Sequence, residues 1–345
     1  MSRMHSAVQS IRRFLAKKDV VFSVQRYGID ALGFMALGVF ASLIMGLIFK
    51  TIGSELGIEH LVKLGKLCME LSGPCIGVAV AYGLKAPPLV LFSSAITGMA
   101  GAIAGGPAGA LAASALGAEC GKLISGETGL DIILTPAVTL ASGIAMGAFA
   151  GPGIAACMTG LGKLIMTATE MQPVPMGILV AVIMGIALTL PISSAAIAII
   201  LNLGGVAAGA ATVGCCCHLV GFAIAGYRDN GPGGLVSLGI GCSMLQVPNL
   251  VKNPWIIVPP VLASACLGPV VTSLFPMHNL PEGAGMGTSG LVGQISTFAA
   301  MGTGAEVWIK VALFHFILPG LLVWLFTLFL RRKAKIRNGD LRIPS

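Results

Sequence analysis

The chain alternates between long apolar segments and short interruptions rich in Pro, Gly, Ser, Thr and Asn. Three interruptions fall within stretches hydrophobic enough for lipid, at residues 189–194 (TLPISS), 245–249 (LQVPN) and 285–290 (GMGTSG). Because lipid cannot satisfy backbone N–H and C=O groups, broken helix at membrane depth needs cover from protein or from a polar cavity. Transporters build solute sites near the bilayer midplane from such discontinuous helices. The pattern predicts a membrane transporter core with its cargo at the breaks.

Apolar segments of at least about 18 residues are long enough to span a bilayer. The pattern predicts an all-α polytopic membrane protein with about ten transmembrane helices. One glycine-rich piece, residues 283–300, is too broken for a lipid-facing helix and is predicted to be a re-entrant segment. The predicted spans are residues 31–49, 61–84, 89–104, 108–124, 132–159, 176–201, 206–225, 235–250, 255–275 and 307–330.

Short similar pieces recur in the two halves of the chain, which predicts an internal duplication. Ile44-Met45-Gly46 recurs as Ile183-Met184-Gly185, and residues 77–82 resemble residues 221–226. Two units of five spans each insert with opposite orientation, so we expect inverted repeats. The predicted parts are a basic amphipathic N-terminus (1–27), a first transmembrane repeat (28–170), a second repeat containing the re-entrant segment (171–330), and a basic tail (331–345).

Composition and charge agree with this prediction. The chain is 56% hydrophobic and 10% charged, with a mean hydropathy of +0.93, whereas soluble proteins carry roughly 25% charged residues. Basic residues concentrate at both ends, so the positive-inside rule places both termini in the cytoplasm. This topology explains the net charge of +8 without a nucleic-acid partner, and it adds an attraction to anionic membrane lipid. Residues 6–24 are predicted to form a basic amphipathic helix on the inner leaflet rather than a cleaved signal peptide.

The run Cys215-Cys216-Cys217-His218 has the residue types of a metal site but not the spacing. Consecutive residues of a helix point about 100° apart and do not converge on one ion. We therefore predict neither a metal site nor a cofactor. Among the ionisable residues in apolar segments, Glu119 is expected to pair with Lys122 and His315 to pack. His218 is expected to hydrogen-bond a neighbouring helix, with a sugar hydroxyl as the alternative partner.

Uncharged polar side chains are plentiful in the broken segments. Amides and hydroxyls suit a neutral, polyhydroxylated ligand because they both donate and accept hydrogen bonds, whereas a carboxylate or phosphate site favours Arg or Lys. The alternative role of these groups is hydrogen bonding between helices. The candidate substrate-binding residues are Thr288, Ser289 and Gln294 of the re-entrant segment, expected to face Ser193, Ser194 and Asn249, together with Gln246 and Asn202.

Four pieces of the chain carry a family resemblance: residues 189–196 (TLPISSAA), 208–215 (AGAATVGC), 239–249 (GIGCSMLQVPN) and 283–294 (GAGMGTSGLVGQ). Together they resemble the membrane-embedded IIC-type family of the phosphoenolpyruvate-dependent sugar phosphotransferase system, in the branch that includes PfoR-like regulatory proteins. The resemblance covers nearly the whole chain. It implies a sugar translocation unit in the bacterial inner membrane, working as a homodimer with separate IIA and IIB proteins.

In IIC proteins a IIB partner passes a phosphoryl group to the sugar as it crosses the membrane, so the resemblance also implies part of a phosphotransferase complex. Glucose-type IIC proteins use an acidic residue together with a histidine on their sugar, and Glu282 with His278 is the nearest equivalent in this chain. One of the two would assist deprotonation of the sugar hydroxyl that attacks the phosphoryl group. Two alternatives remain. One is an ion-coupled secondary transporter unrelated to phosphotransfer. The other is a PfoR-like membrane sensor that signals to cytoplasmic partners through its basic tails.

Overall fold

The computed structural model describes residues 13–343, except for the side chains of Glu55, Met158 and Ile200. It is 83% helical and has no strand within these residues. The helices are α1 (Arg26–Ser54), α2 (Glu59–Glu70), α3 (Ser72–Gly83), α4 (Pro88–Ile124), α5 (Asp131–Thr169), α6 (Pro173–Thr189), α7 (Ser194–Ile200), α8 (Gly205–Ala225), α9 (Tyr227–Val236), α10 (Val247–Lys252), α11 (Pro254–Leu274), α12 (Pro281–Ala284), α13 (Val292–Met301) and α14 (Ala305–Arg332).

Six helices, α1, α4, α5, α8, α11 and α14, are long and apolar enough to cross a membrane. The bent pair formed by α2 and α3 raises the number to seven if it counts as one span. The all-helical, multi-pass character of the protein is therefore confirmed, while the predicted count of about ten spans is not.

The chain divides into two compact units. The first comprises the described residues up to Ser42 together with Glu70–Ala155, and the second comprises Leu43–Met69 together with the chain from Ala156 onward. Helices α1 and α5 each contribute to both units. The predicted repeats, residues 28–170 and 171–330, divide the chain at a different place, and the inverted repeats are not confirmed.

In the first unit, α4 is a helical hairpin rather than a straight rod. Gly105 and Gly106 leave helical geometry, with φ values of −157° and +59°, immediately before Pro107. The backbone of Gly101 consequently lies against the carbonyl group of Gly109, whereas residues eight apart in a straight helix are about 12 Å apart. This fold-back coincides with the predicted boundary between the spans 89–104 and 108–124.

A cluster of charged side chains holds the N-terminal segment in the first unit. Arg26 donates to the carbonyl oxygen of Leu84 (2.6 Å) and pairs with Asp19 (2.8 Å). Lys122 donates to the same carbonyl oxygen (2.9 Å) and pairs with Glu119 (2.9 Å), which confirms the predicted pair. Burial by itself raises the pKa of Asp19, but the hydrogen bond and charge of Arg26 lower it below its ordinary value. Charge at this depth is tolerated because each group has a partner.

The predicted amphipathic helix over residues 6–24 is interrupted. Residues 6–12 lie outside the described part of the chain. Within the described residues, Arg13–Lys17 is helical, and a turn follows in which Asp19 adopts a left-handed conformation with φ +53°. The turn forms because the carbonyl oxygen of Asp19 accepts hydrogen bonds from Arg26 and Lys122. Those tertiary contacts outweigh the propensity of this segment for a continuous helix.

Helix α8 forms the centre of the second unit and is buried along nearly its whole length. It begins where Gly205 takes a positive φ of +64° and packs against α6, α11 and α14. Gly214 lets the backbone of α8 lie directly on the carbonyl group of Ala181 in α6. Small residues at such crossings permit close helix–helix contact in lipid.

The C-terminal segment after α14 folds back onto the second unit instead of extending as a free tail. Ile336 and Leu341 are buried. The carbonyl oxygen of Leu341 accepts a hydrogen bond from Asn230 (2.8 Å), and the backbone N–H of Ile343 donates to the side chain of the same asparagine (2.8 Å). The basic residues of this segment therefore belong to an ordered element as far as Ile343.

Candidate solute site

Two broken-helix segments in the second unit provide the candidate site. The first lies between α6 and α8. Helix α6 ends at Thr189 because Leu190 takes an extended conformation before Pro191. Ser193 then caps α7 by accepting a hydrogen bond from the N–H of Ala196 (3.3 Å).

The second broken segment is the predicted re-entrant piece, and its interruption is confirmed. Helix α12, a 3-10 turn at Ser289–Leu291 and helix α13 replace a continuous helix. Gly287 and Gly290 have φ values of +53° and +54°, a region that favours glycine. Gly283 packs against the side chain of Ser296, so the segment folds back on itself as a hairpin.

The two broken segments contact each other. The hydroxyl of Ser194 donates to the carbonyl oxygen of Gly285 (2.7 Å). Gly205 and Asn279 form an isolated antiparallel bridge, with N–O distances of 3.0 and 3.1 Å. The structure thus brings the Ser193–Ser194 break into contact with the re-entrant segment at Gly285.

Asn279 organises this junction, and the sequence analysis did not select it. Its side chain is 1% exposed and donates to the hydroxyl of Thr212 (2.7 Å) on α8 and to the carbonyl oxygen of Gly293 (3.0 Å). One feature of the sequence could have pointed to it. Asn279 lies between Pro276 and Pro281, beside the re-entrant segment, where few neighbouring backbone groups can hydrogen-bond to its side chain.

A second polar cluster joins α6 to α8. The hydroxyl of Thr189 lies 2.7 Å from Nδ1 of His218 and 3.1 Å from the hydroxyl of Ser243. The predicted hydrogen bond of His218 to a neighbouring helix is confirmed. Its Nε2 atom is buried and has no hydrogen-bond partner in the described part of the chain.

The re-entrant segment carries further polar groups, some of them unpaired. The hydroxyl of Thr288 donates to the carbonyl oxygen of Gly239. Gln294 Nε2 lies 3.0 Å from Nδ1 of His315, so His315 does more than pack. Among the described residues, the buried atoms Ser289 Oγ and Gln294 Oε1 of this segment and Nε2 of the neighbouring His315 have no hydrogen-bond partner. An unpaired buried polar group costs about 1–3 kcal/mol, so these atoms mark a place where a ligand would be favoured.

Gln246 and Asn249 are placed elsewhere. Gln246 donates to the carbonyl oxygen of Leu341 (2.8 Å) and accepts from Asn249 (2.8 Å), which also donates to the carbonyl oxygen of Arg342 (2.7 Å). Both amides therefore hold the C-terminal segment. Asn202 is exposed in the turn after α7, with φ +48°.

Glu282 and His278 are both exposed and flank the buried Asn279. By contrast, the buried polar side chains that the structure describes in the second unit are all uncharged by type or histidine. Within residues 13–343, no group of three or more His, Cys, Asp and Glu side chains is arranged to hold a metal ion. The described buried polar groups at the junction are therefore uncharged hydrogen-bond donors and acceptors.

A small cleft of about 160 Å³ lies beside the re-entrant segment. Lys50, Thr51 and Ser54 of α1 line it together with Val292 and Ile295 of α13. Lys50 closes the predicted first span, and the sequence alone did not indicate that it would lie near the second broken segment.

Comparison with known families adds one finding. A family model described as "Phosphotransferase system, EIIC" matches residues 29–343. No curated protein and no solved structure matches the chain. The matched region contains both broken segments and the ordered C-terminal segment. Since the match covers far more than half of the chain, this multi-pass membrane protein belongs to the EIIC family of the phosphotransferase system.

Proposed function

We propose that the protein translocates a neutral, polyhydroxylated solute, a sugar or sugar-like compound, through the junction of the two broken segments. The observation that carries this proposal is the set of buried, uncharged polar groups there. Ser289 Oγ and Gln294 Oε1 have no partner within the described residues, and an amide and a hydroxyl together match the donors and acceptors of sugar hydroxyls.

Translocation in this proposal proceeds by alternating access, with the re-entrant hairpin as the moving part. The hairpin contacts the first break through a small number of bonds, including Ser194 to Gly285 and the bridge of Gly205 with Asn279. Opening these bonds would expose Ser289 and Gln294. Of the other predicted ligands, Ser193 and Thr288 lie on the same two segments.

Phosphoryl transfer is the finer part of the proposal. As an EIIC component, the protein works with IIA and IIB proteins of the system, and we propose that these are separate chains and that the protein is a homodimer. The sugar hydroxyl would attack the phosphoryl group of the IIB protein, forming a new P–O bond as the bond to IIB breaks. Glu282 or His278 would take the hydroxyl proton. Their exposure leaves them accessible to a partner protein.

The test is uptake of radiolabelled sugars into membrane vesicles, with and without phosphoenolpyruvate and the general phosphotransferase proteins. Accumulation of phosphorylated sugar only with the phosphoryl donor supports the proposal. Accumulation of unmodified solute without the donor assigns secondary transport instead, and specific binding without uptake assigns sensing. Full phosphotransfer after removal of both Glu282 and His278 side chains would eliminate their proposed role.

A further inference from the structure

An apolar groove on the second unit has no part in the proposed function. It encloses about 590 Å³, and its walls come from α8, the end of α9, a π-helical turn at Ser237–Gly241, and α14. Its lining is almost wholly apolar and includes Ile224, Val236, Leu321 and Trp324. These four side chains are exposed, so the groove opens outward along membrane-spanning helices.

One end of the groove is basic. Arg331 follows Trp324 by seven residues, two helical turns, and therefore lies on the same face of α14. Its Nη2 atom is 3.5 Å from the carbonyl oxygen of Ala225, the neighbour of the lining residue Ile224. Arg332 adds an exposed guanidinium group next in sequence. Arg331 is 14% exposed, lies 3.8 Å from Asp229 and donates to Asn338 (3.3 Å).

The groove also contacts the machinery of the candidate site. Gly239 lines the groove, and its carbonyl oxygen accepts the hydroxyl of Thr288. The π-helical turn that carries Gly239 is thus a wall between the groove and the re-entrant segment. Whatever fills the groove presses on an element that is hydrogen-bonded to the proposed moving part.

We propose that this groove is a binding site for an anionic phospholipid, with an acyl chain along the apolar walls and the headgroup phosphate at Arg331 and Arg332. An apolar lining that ends in guanidinium groups matches the two parts of such a lipid. Occupancy by lipid stabilises the Gly239–Thr288 contact and thereby the closed re-entrant hairpin.

The first experiment measures lipid retained by the detergent-purified protein by native mass spectrometry after exchange into phosphatidylglycerol or phosphatidylcholine with the same acyl chains. Leu321→Trp fills the groove, and Leu325→Trp is the matched control because both leucines are 46% exposed on α14 and only Leu321 lines the groove. We expect phosphatidylglycerol to be retained by the wild type and by Leu325→Trp, and retention to fall at least about fivefold in Leu321→Trp.

Equal retention by both variants, or equal retention of the two lipids, would overturn the proposal. Loss of a dimer in Leu321→Trp without loss of lipid would also overturn it and assign the groove to a second copy. Arg332→Gln is expected to reduce the preference for phosphatidylglycerol, whereas Arg337→Gln in the C-terminal segment is expected to leave it unchanged.

A second measurement leaves the groove unaltered. Trp324 lines the groove, while Trp308 is exposed on the same helix outside it. In single-tryptophan proteins reconstituted in phosphatidylcholine with a small fraction of brominated phosphatidylglycerol, Trp324 fluorescence should be quenched beyond the bulk fraction of brominated lipid. Trp308 fluorescence should be quenched only in proportion to the bulk fraction of brominated lipid. Equal quenching of the two tryptophans contradicts the proposal even if the filling variant fails to fold.

Discussion

Ser194 and Ser289 are both fully enclosed in the second unit, yet their hydroxyls are in opposite situations. Ser194 donates to the carbonyl oxygen of Gly285 (2.7 Å), whereas Ser289 Oγ has no hydrogen-bond partner within residues 13–343. Replacing a paired hydroxyl removes a bond worth about 0.5–1.5 kcal/mol net, while replacing an unpaired one relieves a desolvation penalty. Substitution by alanine should therefore lower the stability of the protein at Ser194 and weaken solute binding at Ser289.

Ser289→Ala should raise the KM for the transported solute about 3- to 10-fold, because one hydrogen bond to the solute is lost. The thermal stability of the solute-free protein should not fall, since no bond within the protein is removed. The measurement pairs uptake kinetics with thermal unfolding in detergent. Ser194→Ala is the control and should lower the unfolding temperature. An unchanged KM in Ser289→Ala would remove this residue from the solute site.

Gln246→Leu should lower the stability of the protein without changing the KM. It removes the hydrogen bonds of Gln246 to the carbonyl oxygen of Leu341 and to the amide of Asn249, each of which keeps another partner. The expected cost is about 0.5–1.5 kcal/mol of unfolding free energy for each bond, while the KM of the correctly folded fraction should not change. Limited proteolysis of the C-terminal segment and uptake kinetics measure the two effects. A raised KM with a protected C-terminal segment would return Gln246 to the candidate ligands.

At the scale of elements, the broken helices depend on glycines that serve two purposes at once. Gly287 has a positive φ, and its Cα also lies against the backbone of Cys215 and Cys216 in α8. Gly302 has φ +83° at the end of α13 but lies in open space. Substitution of Gly302 therefore tests the backbone conformation alone, whereas substitution of Gly287 tests both the backbone conformation and the close packing on α8.

Gly287→Ala should therefore be more harmful than Gly302→Ala. At Gly302 the backbone, with φ +83° and ψ 179°, is in a region essentially restricted to glycine, so the expected cost of alanine is strain of about 1–3 kcal/mol. At Gly287 a methyl group must also displace backbone, so we expect at least about 1–3 kcal/mol more and loss of uptake. Chemical denaturation of both purified variants measures the difference. Equal destabilisation would mean that the re-entrant hairpin is not closely packed on α8.

At the scale of the whole molecule, orientation in the membrane follows from charge. Nine of the nineteen described Lys and Arg residues lie before α1 or in and after the last turn of α14. The C-terminal segment packs on the region of α9 and α10, so these elements share one side of the second unit. The positive-inside rule predicts that this side is cytoplasmic.

Reporter fusions test this prediction. A green fluorescent protein fused after residue 345 should fluoresce, and an alkaline phosphatase fused at the same place should be inactive, because the positively charged end stays in the cytoplasm. The same pair of reporters fused at the N-terminus should behave alike if the number of spans is even. An active phosphatase at the C-terminus would contradict the predicted topology.

The sequence by itself determined the class of protein and the places where helices stop. The high hydropathy requires membrane helices, and proline and glycine residues end or bend them. Pro191 ends α6, and Gly105 with Gly106 folds α4 back. The glycines at 285–290 interrupt the re-entrant segment. These features depend on neighbouring residues, so a pattern along the chain reveals them.

Only the tertiary structure decided which polar groups meet. Asn279 reaches Thr212 across 67 residues, and Gln246 holds Leu341 across 95 residues. Both Gln246 and Gln294 follow a break in an apolar stretch, yet one binds the C-terminal segment and the other keeps an unpaired oxygen beside His315. Their contacts depend on how distant helices pack, and packing over such separations leaves no local signature in the sequence.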